Sequence, residues 1–379
     1  MKTYDKQSSL YIPEYIDFTK EPIFLGKGKN TQRFDVLKYP FFDERNKTMQ
    51  GFDWSFDEVN LKNDYIDFNT KMQEHEKFIF TKVLQKLIFL DSLQGRGILL
   101  TLGHIVSNPE IENAMLTWQY FEGAKHSKTY TEVLRGVYTN PDEIFDESFK
   151  IPELMYLAKS ISNPYNECYE LIIEYQYCLI KNLKFEKMKE LKKSIIKLLV
   201  VINILEGVRF YSGFASIWAM NKINGFVEGT SKDLKLICRD ENVHLSLTQK
   251  FLQILKKEEI EGFVEIYNEM QPEVIKLYET CYQEECDWID FIYQKGTVLG
   301  LNNDIAKNYL KYIINRRLKA IGENILFPGF STNPIPWVQD YINFDKNEIL
   351  PQEGELVNYI SGGVETDVDL DDLEEFKLI

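Results

Sequence analysis

The stretches WQYFEGAKHSKTY (residues 118–130) and CRDENVH (residues 238–244) each place a carboxylate about one helical turn before a histidine: Glu122 before His126, and Glu241 before His244. An α-helix turns about 100° per residue, so positions three or four apart share a face. Glu241 and His244 stand at i and i+3, while Glu122, His126 and Tyr130 form an i, i+4, i+8 stripe. Only four histidines occur among 379 residues, so two of them in this setting is a constraint that composition rarely supplies. The two pairs point to a carboxylate-bridged dimetal site between helices.

Two further runs supply single carboxylates: Asp91 in FIFTKVLQKLIFLDSLQGR (78–96) and Glu206 in LLVVINILEGVRFYSGF (198–214). Both lie in strongly apolar surroundings, where an unpaired buried carboxylate is costly. Four carboxylates and two neutral imidazoles carry a charge that two divalent cations cancel. Hard oxygen donors with some imidazole suit iron or manganese, and no thiolate motif suggests structural zinc. An isolated E-x-x-H is ordinarily a surface pair, and His75, in EHEK, reads as one. His104 stands alone and reads as a satisfied structural histidine. One carboxylate on each of two helices and a Glu/His pair on each of two others is the ferritin-like dimetal pattern.

Outward from these motifs, residues 73 to 325 keep a helical period almost throughout. Asn108-Pro109 opens one helix, Asn140-Pro141 follows its end, Gly225 and Gly229 separate two more, and another starts near Asn303-Asp304. No alternating run with hairpin turns appears, so the fold expected is an all-α, ferritin-like helical bundle. Residues 1–70 read as an irregular N-terminal arm packed on a helical domain of residues 71–345. Residues 346–379 form an acidic tail, whose last nineteen residues carry seven acids against Lys377 alone, a composition expected to be flexible when free.

A net charge of −15 argues against a nucleic-acid partner, which requires clustered Lys and Arg. Five scattered cysteines without a CxxC pair fit a reducing cytoplasm. The N-terminus lacks the apolar run of a signal peptide, and LLVVINIL (198–205) is too short to span a membrane.

Taken together, these motifs resemble the small, radical-generating subunit of class I ribonucleotide reductase over nearly the whole chain. The resemblance includes KEPIFLGKG (20–28), LDSLQGR around Asp91, the helix of His126 and Tyr130, NILEGVRFYSGFA around Glu206, and RDENVHL (239–245). It continues through DWIDF (287–291), GLNNDI (300–305), NPIPW (333–337) and DDLEEFKLI (371–379). It implies metal ligands Asp91, Glu122, His126, Glu206, Glu241 and His244, two iron ions per chain with manganese as the alternative, and a stable radical on Tyr130 formed with dioxygen.

The resemblance further implies that Trp54, Asp240 and His126 link the surface to the metal site by coupled electron and proton transfer, with Tyr359 continuing the route. Phe210 and Phe214, at i+4 and i+8 from Glu206, and Ile237, one turn before Glu241, read either as ordinary core or as an apolar cage around the radical; the resemblance favours the cage. It also implies a homodimer whose tail docks through Leu373, Phe376 and Leu378 on a large catalytic subunit, where ribonucleotides become deoxyribonucleotides. Other readings of the same ligands are a ferritin-like oxidase or oxygenase acting on a small molecule, and a metal-poor companion of the large subunit. The chain departs from the family at its first pair, where Glu122-Gly-Ala-Lys-His126 is one residue longer than E-x-x-H. The helical face or a π-bulge absorbs the extra residue, and Lys125 is expected to face solvent.

Overall fold

The computed structural model describes residues 11–342. Thirteen α-helices carry almost all the regular structure among them: α1 Pro40–Gly51, α2 Lys62–Ile66, α3 Glu74–Leu100, α4 Pro109–Tyr120, α5 Ser127–Val137, α6 Pro141–Ser148, α7 Pro152–Lys181, α8 Met188–Ile204, α9 Phe210–Asn224, α10 Glu228–Leu255, α11 Phe263–Ile292, α12 Asn303–Ala320 and α13 Gln339–Ile342. The described residues contain no β-strand, only two isolated bridges, Phe24 with Val106 and Val298 with Leu301. None of the described helices is long and apolar enough to cross a membrane.

Local chemistry sets the boundaries. Pro40, Pro109, Pro141 and Pro152 occupy first-turn positions, where a missing N–H costs nothing. Asn182 and Gly225, both left-handed, end α7 and α9, and the Asn302 side chain accepts the Ile305 N–H at the start of α12. Gly229, read from sequence as a separator, instead lies in the first turn of α10. There Asp64 accepts the N–H groups of Gly229 (2.8 Å) and Thr230 (2.6 Å), tying α2 to the helix that carries Glu241. The arm is also more regular than its sequence suggested: α1 packs against α4, burying Phe42 and Met49, although it has no strong apolar period to announce it.

The bundle centre is made by α3, the α4–α5 line, the α8–α9 line and α10. α3 lies against α9, and α10 lies against both α8 and α9, with α7 and α11 covering the outer side of α8. From Leu198 to Phe210 nearly every side chain is buried, which explains why that run is apolar on all sides rather than amphipathic. Two π-helical turns interrupt the central lines, Phe121–His126 between α4 and α5 and Leu205–Arg209 between α8 and α9. Each widens the helix where a carboxylate points inward.

Candidate metal centre

Asp91 comes from α3, Glu122 and His126 from the first π-turn, Glu206 from the second, and Glu241 and His244 from one face of α10. All six side chains are fully buried. Their donor atoms form two sets, each within 4.8 Å: Asp91, Glu122, His126 and Glu241, and Glu122, Glu206, Glu241 and His244. Glu122 and Glu241 belong to both sets and so join them. His126 Nδ1 lies 3.3 Å from Glu122 Oε2 and 3.2 Å from Glu241 Oε1. His244 Nδ1 lies 2.9 Å from Glu122 Oε1 and 3.0 Å from Glu241 Oε2.

The donor set fits a pair of cations. Both Asp91 oxygens, Glu122 Oε2, Glu206 Oε2, Glu241 Oε1 and His126 Nδ1 are buried without a hydrogen-bond partner. Such groups cost roughly 1–3 kcal/mol each when left unsatisfied, and more when charged. No core selected for stability alone would gather them.

The electrostatics of the cluster separates its carboxylates into two kinds. Burial, reinforced by neighbouring carboxylates, raises Asp91 and Glu206 well above the ordinary carboxylate range. Burial also pushes Glu122 and Glu241 upward, but the imidazoles, with Glu206 also hydrogen-bonding Glu241, outweigh it and hold both below that range. Burial opposes charge on the histidines too, yet Glu241 leads the groups that raise His126, and Glu122 leads those that bring His244 to about 9. Thus the site favours charge on the two shared carboxylates and on both rings, and disfavours it on Asp91 and Glu206. Two divalent ions would balance four ionised carboxylates with both rings neutral.

Tyr130 is fully buried, and its hydroxyl has no hydrogen-bond partner. Burial, then Asp91 and Glu241, raises it well above the usual phenol value, so it rests as the protonated phenol. On the opposite side of His126 a polar chain runs outward. Asp240 Oδ2 accepts the Trp54 indole N–H at 2.7 Å and stands 3.2 Å from His126 Nε2. One oxygen therefore joins indole and imidazole, whose rings lie 6.3 Å apart at 23° to one another. With Nε2 turned to Asp240, Nδ1 faces the carboxylates, the usual arrangement of a metal-binding histidine.

A family model described as ribonucleotide reductase, small chain, matches residues 33–334. The chain belongs to the ribonucleotide reductase small-chain family. It is 35% identical over 369 residues to the beta subunit of ribonucleoside-diphosphate reductase 1 from Escherichia coli O157:H7, covering 96% of this chain and 97% of that one. The beta subunit of enterobacteria phage T4 is 31% identical over 386 residues, 98% of this chain and 99% of its own. The fold matches the R2 subunit from Clostridium botulinum with a TM-score of 0.75 at 23% identity, over 90% of this chain and 99% of that one. The dimanganese(II) NrdF of Streptococcus sanguinis matches with a TM-score of 0.61 at 22% identity, over 81% of this chain and 99% of that one. In this reductase small subunit the buried cluster is a dimetal centre, and the two other readings of its ligands lose their footing.

Several residues around the centre escaped the sequence reading. Gln94 donates to Glu206 Oε1 and accepts from the Tyr165 hydroxyl, and Trp118 donates to Glu122 Oε1 at 2.9 Å while stacking on His244. Gln94 is three residues after Asp91 and Trp118 four before Glu122, so helical spacing could have found both. Tyr165 sits on α7, outside the four ligand lines, and gave no such signal. Phe210, Phe214 and Ile237 are fully buried, the two phenyl rings stacked 6.0 Å apart. His75 is half-buried. His104 is exposed, its backbone N–H donating to the Thr101 carbonyl and its own carbonyl accepting from Gln176, contrary to the expectation of a satisfied structural histidine. Lys125 does not face solvent, because the π-turn directs it onto the Trp54 loop. Tyr359, Leu373, Phe376 and Leu378 lie outside the described residues.

Proposed function

We propose that this small subunit holds two iron ions, with manganese as the alternative, on Asp91, Glu122, His126, Glu206, Glu241 and His244, and that Tyr130 carries a stable radical. The observation that carries this reading is the sharing of Glu122 and Glu241 between two buried donor sets. Bound there, the metal pair supplies the reduction of dioxygen and the oxidising equivalent for the phenol.

The protein's own residues do the rest. Tyr130 starts as a phenol, so its oxidation releases one electron and one proton together, and Asp91 is the carboxylate acting on it most strongly. Phe210, Phe214 and Ile237 keep water and reductants from the phenoxyl. When an electron moves inward from Trp54, the indole Nε1 proton has Asp240 Oδ2 as acceptor 2.7 Å away, so charge separation at the ring is avoided. Tyr359 would extend the route to the large subunit, where ribonucleotides are reduced. Leu373, Phe376 and Leu378 suit a tail that folds into a groove on that subunit.

We read the assembly as a homodimer. Its place is a reducing cytoplasm, in keeping with five cysteines that form no disulfide. The test is to load the protein anaerobically with Fe(II), admit air, and record the electron paramagnetic resonance spectrum beside metal content. A tyrosyl signal with about two metal ions per chain, lost in Tyr130→Phe while the metal remains, supports the reading. A signal that survives Tyr130→Phe places the radical elsewhere.

A further inference from the structure

Trp54 lies in the irregular segment between α1 and a short 3₁₀ turn at Phe56–Glu58, so no helix fixes its backbone. Two cations do so instead. From α10, Arg239 donates to the Phe52 carbonyl at 2.6 Å and lies over the Phe52 ring at 4.3 Å. From the first π-turn, Lys125 Nζ donates to the Trp54 carbonyl itself, pairs with Asp53 Oδ1 at 2.6 Å and lies 5.3 Å from the centre of the Tyr120 ring. The Lys125 side chain is only 12% exposed, and it reaches the loop because the widened turn places it one residue before His126 on the loop-facing side. Asp53 is 64% exposed, so that ion pair is screened and holds little; the bond to the carbonyl is the anchor.

We propose that Lys125 is a positioning residue for Trp54: it holds the Trp54 backbone so that the indole keeps its hydrogen bond to Asp240. The inference rests on the reading of Trp54, Asp240 and His126 as the transfer route, and adds to it the device that sets the geometry at its outer end. The same turn that orients His126 toward the carboxylates orients Lys125 toward the Trp54 carbonyl, so one segment acts on both ends of the Asp240 bridge. A misplacement of about 1 Å in such an arrangement can cost on the order of 10²-fold in rate.

The test compares the full chain with its Lys125→Met, Lys125→Arg, Asp53→Asn and Trp54→Phe variants. In metal-free protein, hydrogen–deuterium exchange over residues 52–56 is expected to quicken about tenfold in Lys125→Met, the loss of one anchoring hydrogen bond, with residues of α10 unchanged. After loading, metal content and radical yield should match wild type, while turnover with the large subunit falls roughly ten- to a hundredfold. Lys125→Arg should restore both readouts, and Asp53→Asn should move them little. Wild-type exchange or wild-type turnover in Lys125→Met overturns the proposal. Loss of metal or radical in that variant also overturns it, in favour of a role in shaping the π-turn. If Trp54→Phe retains full turnover, the transfer route itself is wrong, and the exchange measurement still decides whether Lys125 anchors the loop.

Discussion

His126 and His244 sit on the two sides of the same carboxylate cluster, equally buried, and each pairs with a glutamate about one turn earlier. Their outer faces differ. His126 Nε2 meets Asp240, and through it Trp54 near the surface, whereas His244 Nε2 has no hydrogen-bond partner and its ring is covered by Trp118. One half of the centre is therefore wired outward through a polar chain, and the other is sealed with indole. A chemically near-symmetric donor set becomes directional through what lies behind each ring.

The sharpest way to break this comparison is to remove what both halves share. Glu241→Ala should drop metal content to below one ion per chain and abolish turnover, because both donor sets lose a carboxylate; retention of two ions would refute the bridging assignment. Asp240→Asn breaks only the wired half. Metal content and the tyrosyl signal should persist while turnover falls by about 10² or more, a typical loss for a positioned proton acceptor. Equal loss of radical and turnover would show that Asp240 acts on the centre itself.

Smaller perturbations separate the halves more finely. Gly95 faces the first π-turn so closely that an added Cβ would come 2.8 Å from the Gly123 Cα. Gly95→Ala should destabilise the protein by about 1–3 kcal/mol, read by thermal unfolding, as the turn is pushed away from α3. Trp118→Phe touches the sealed half, removing the N–H donated to Glu122 while keeping an aromatic cover. Its expected cost is about 1 kcal/mol in metal affinity, measured by competition with a chelator, with turnover per bound metal unchanged.

The contrast also marks what sequence can show. The six ligand candidates were legible because helical periodicity translates spacing into a shared face and because histidines are rare in this chain. The proposed relay and the proposed radical tyrosine come from resemblance alone, since Trp54 and Asp240 are 186 positions apart and no local rule joins them. Lys125 illustrates the limit most clearly. A lysine beside a buried histidine reads as solvent-facing on ordinary α-helical spacing, and only the altered hydrogen-bond register of the turn brings it onto the loop. Helix α1 was missed because PFFDERNKTMQG has a weak apolar period and gains its stability from α4. The second π-turn, at Leu205–Arg209, has no break in its sequence to announce it, since LEGVR continues the buried run from Leu198 without a Pro or a cap.

The first π-turn has a meaning for how such a chain can change over time. Adding a residue to a continuous α-helix swings everything beyond it by about 100°, which in a packed core would throw every later side chain onto the wrong wall. Here the surplus residue is confined to Phe121–His126, and regular α5 resumes at Ser127, so Tyr130 keeps its one-turn interval from His126. The turn works as an expansion joint. An extra residue between the ligand candidates Glu122 and His126 is taken up there without shifting Tyr130 from its place one turn beyond His126.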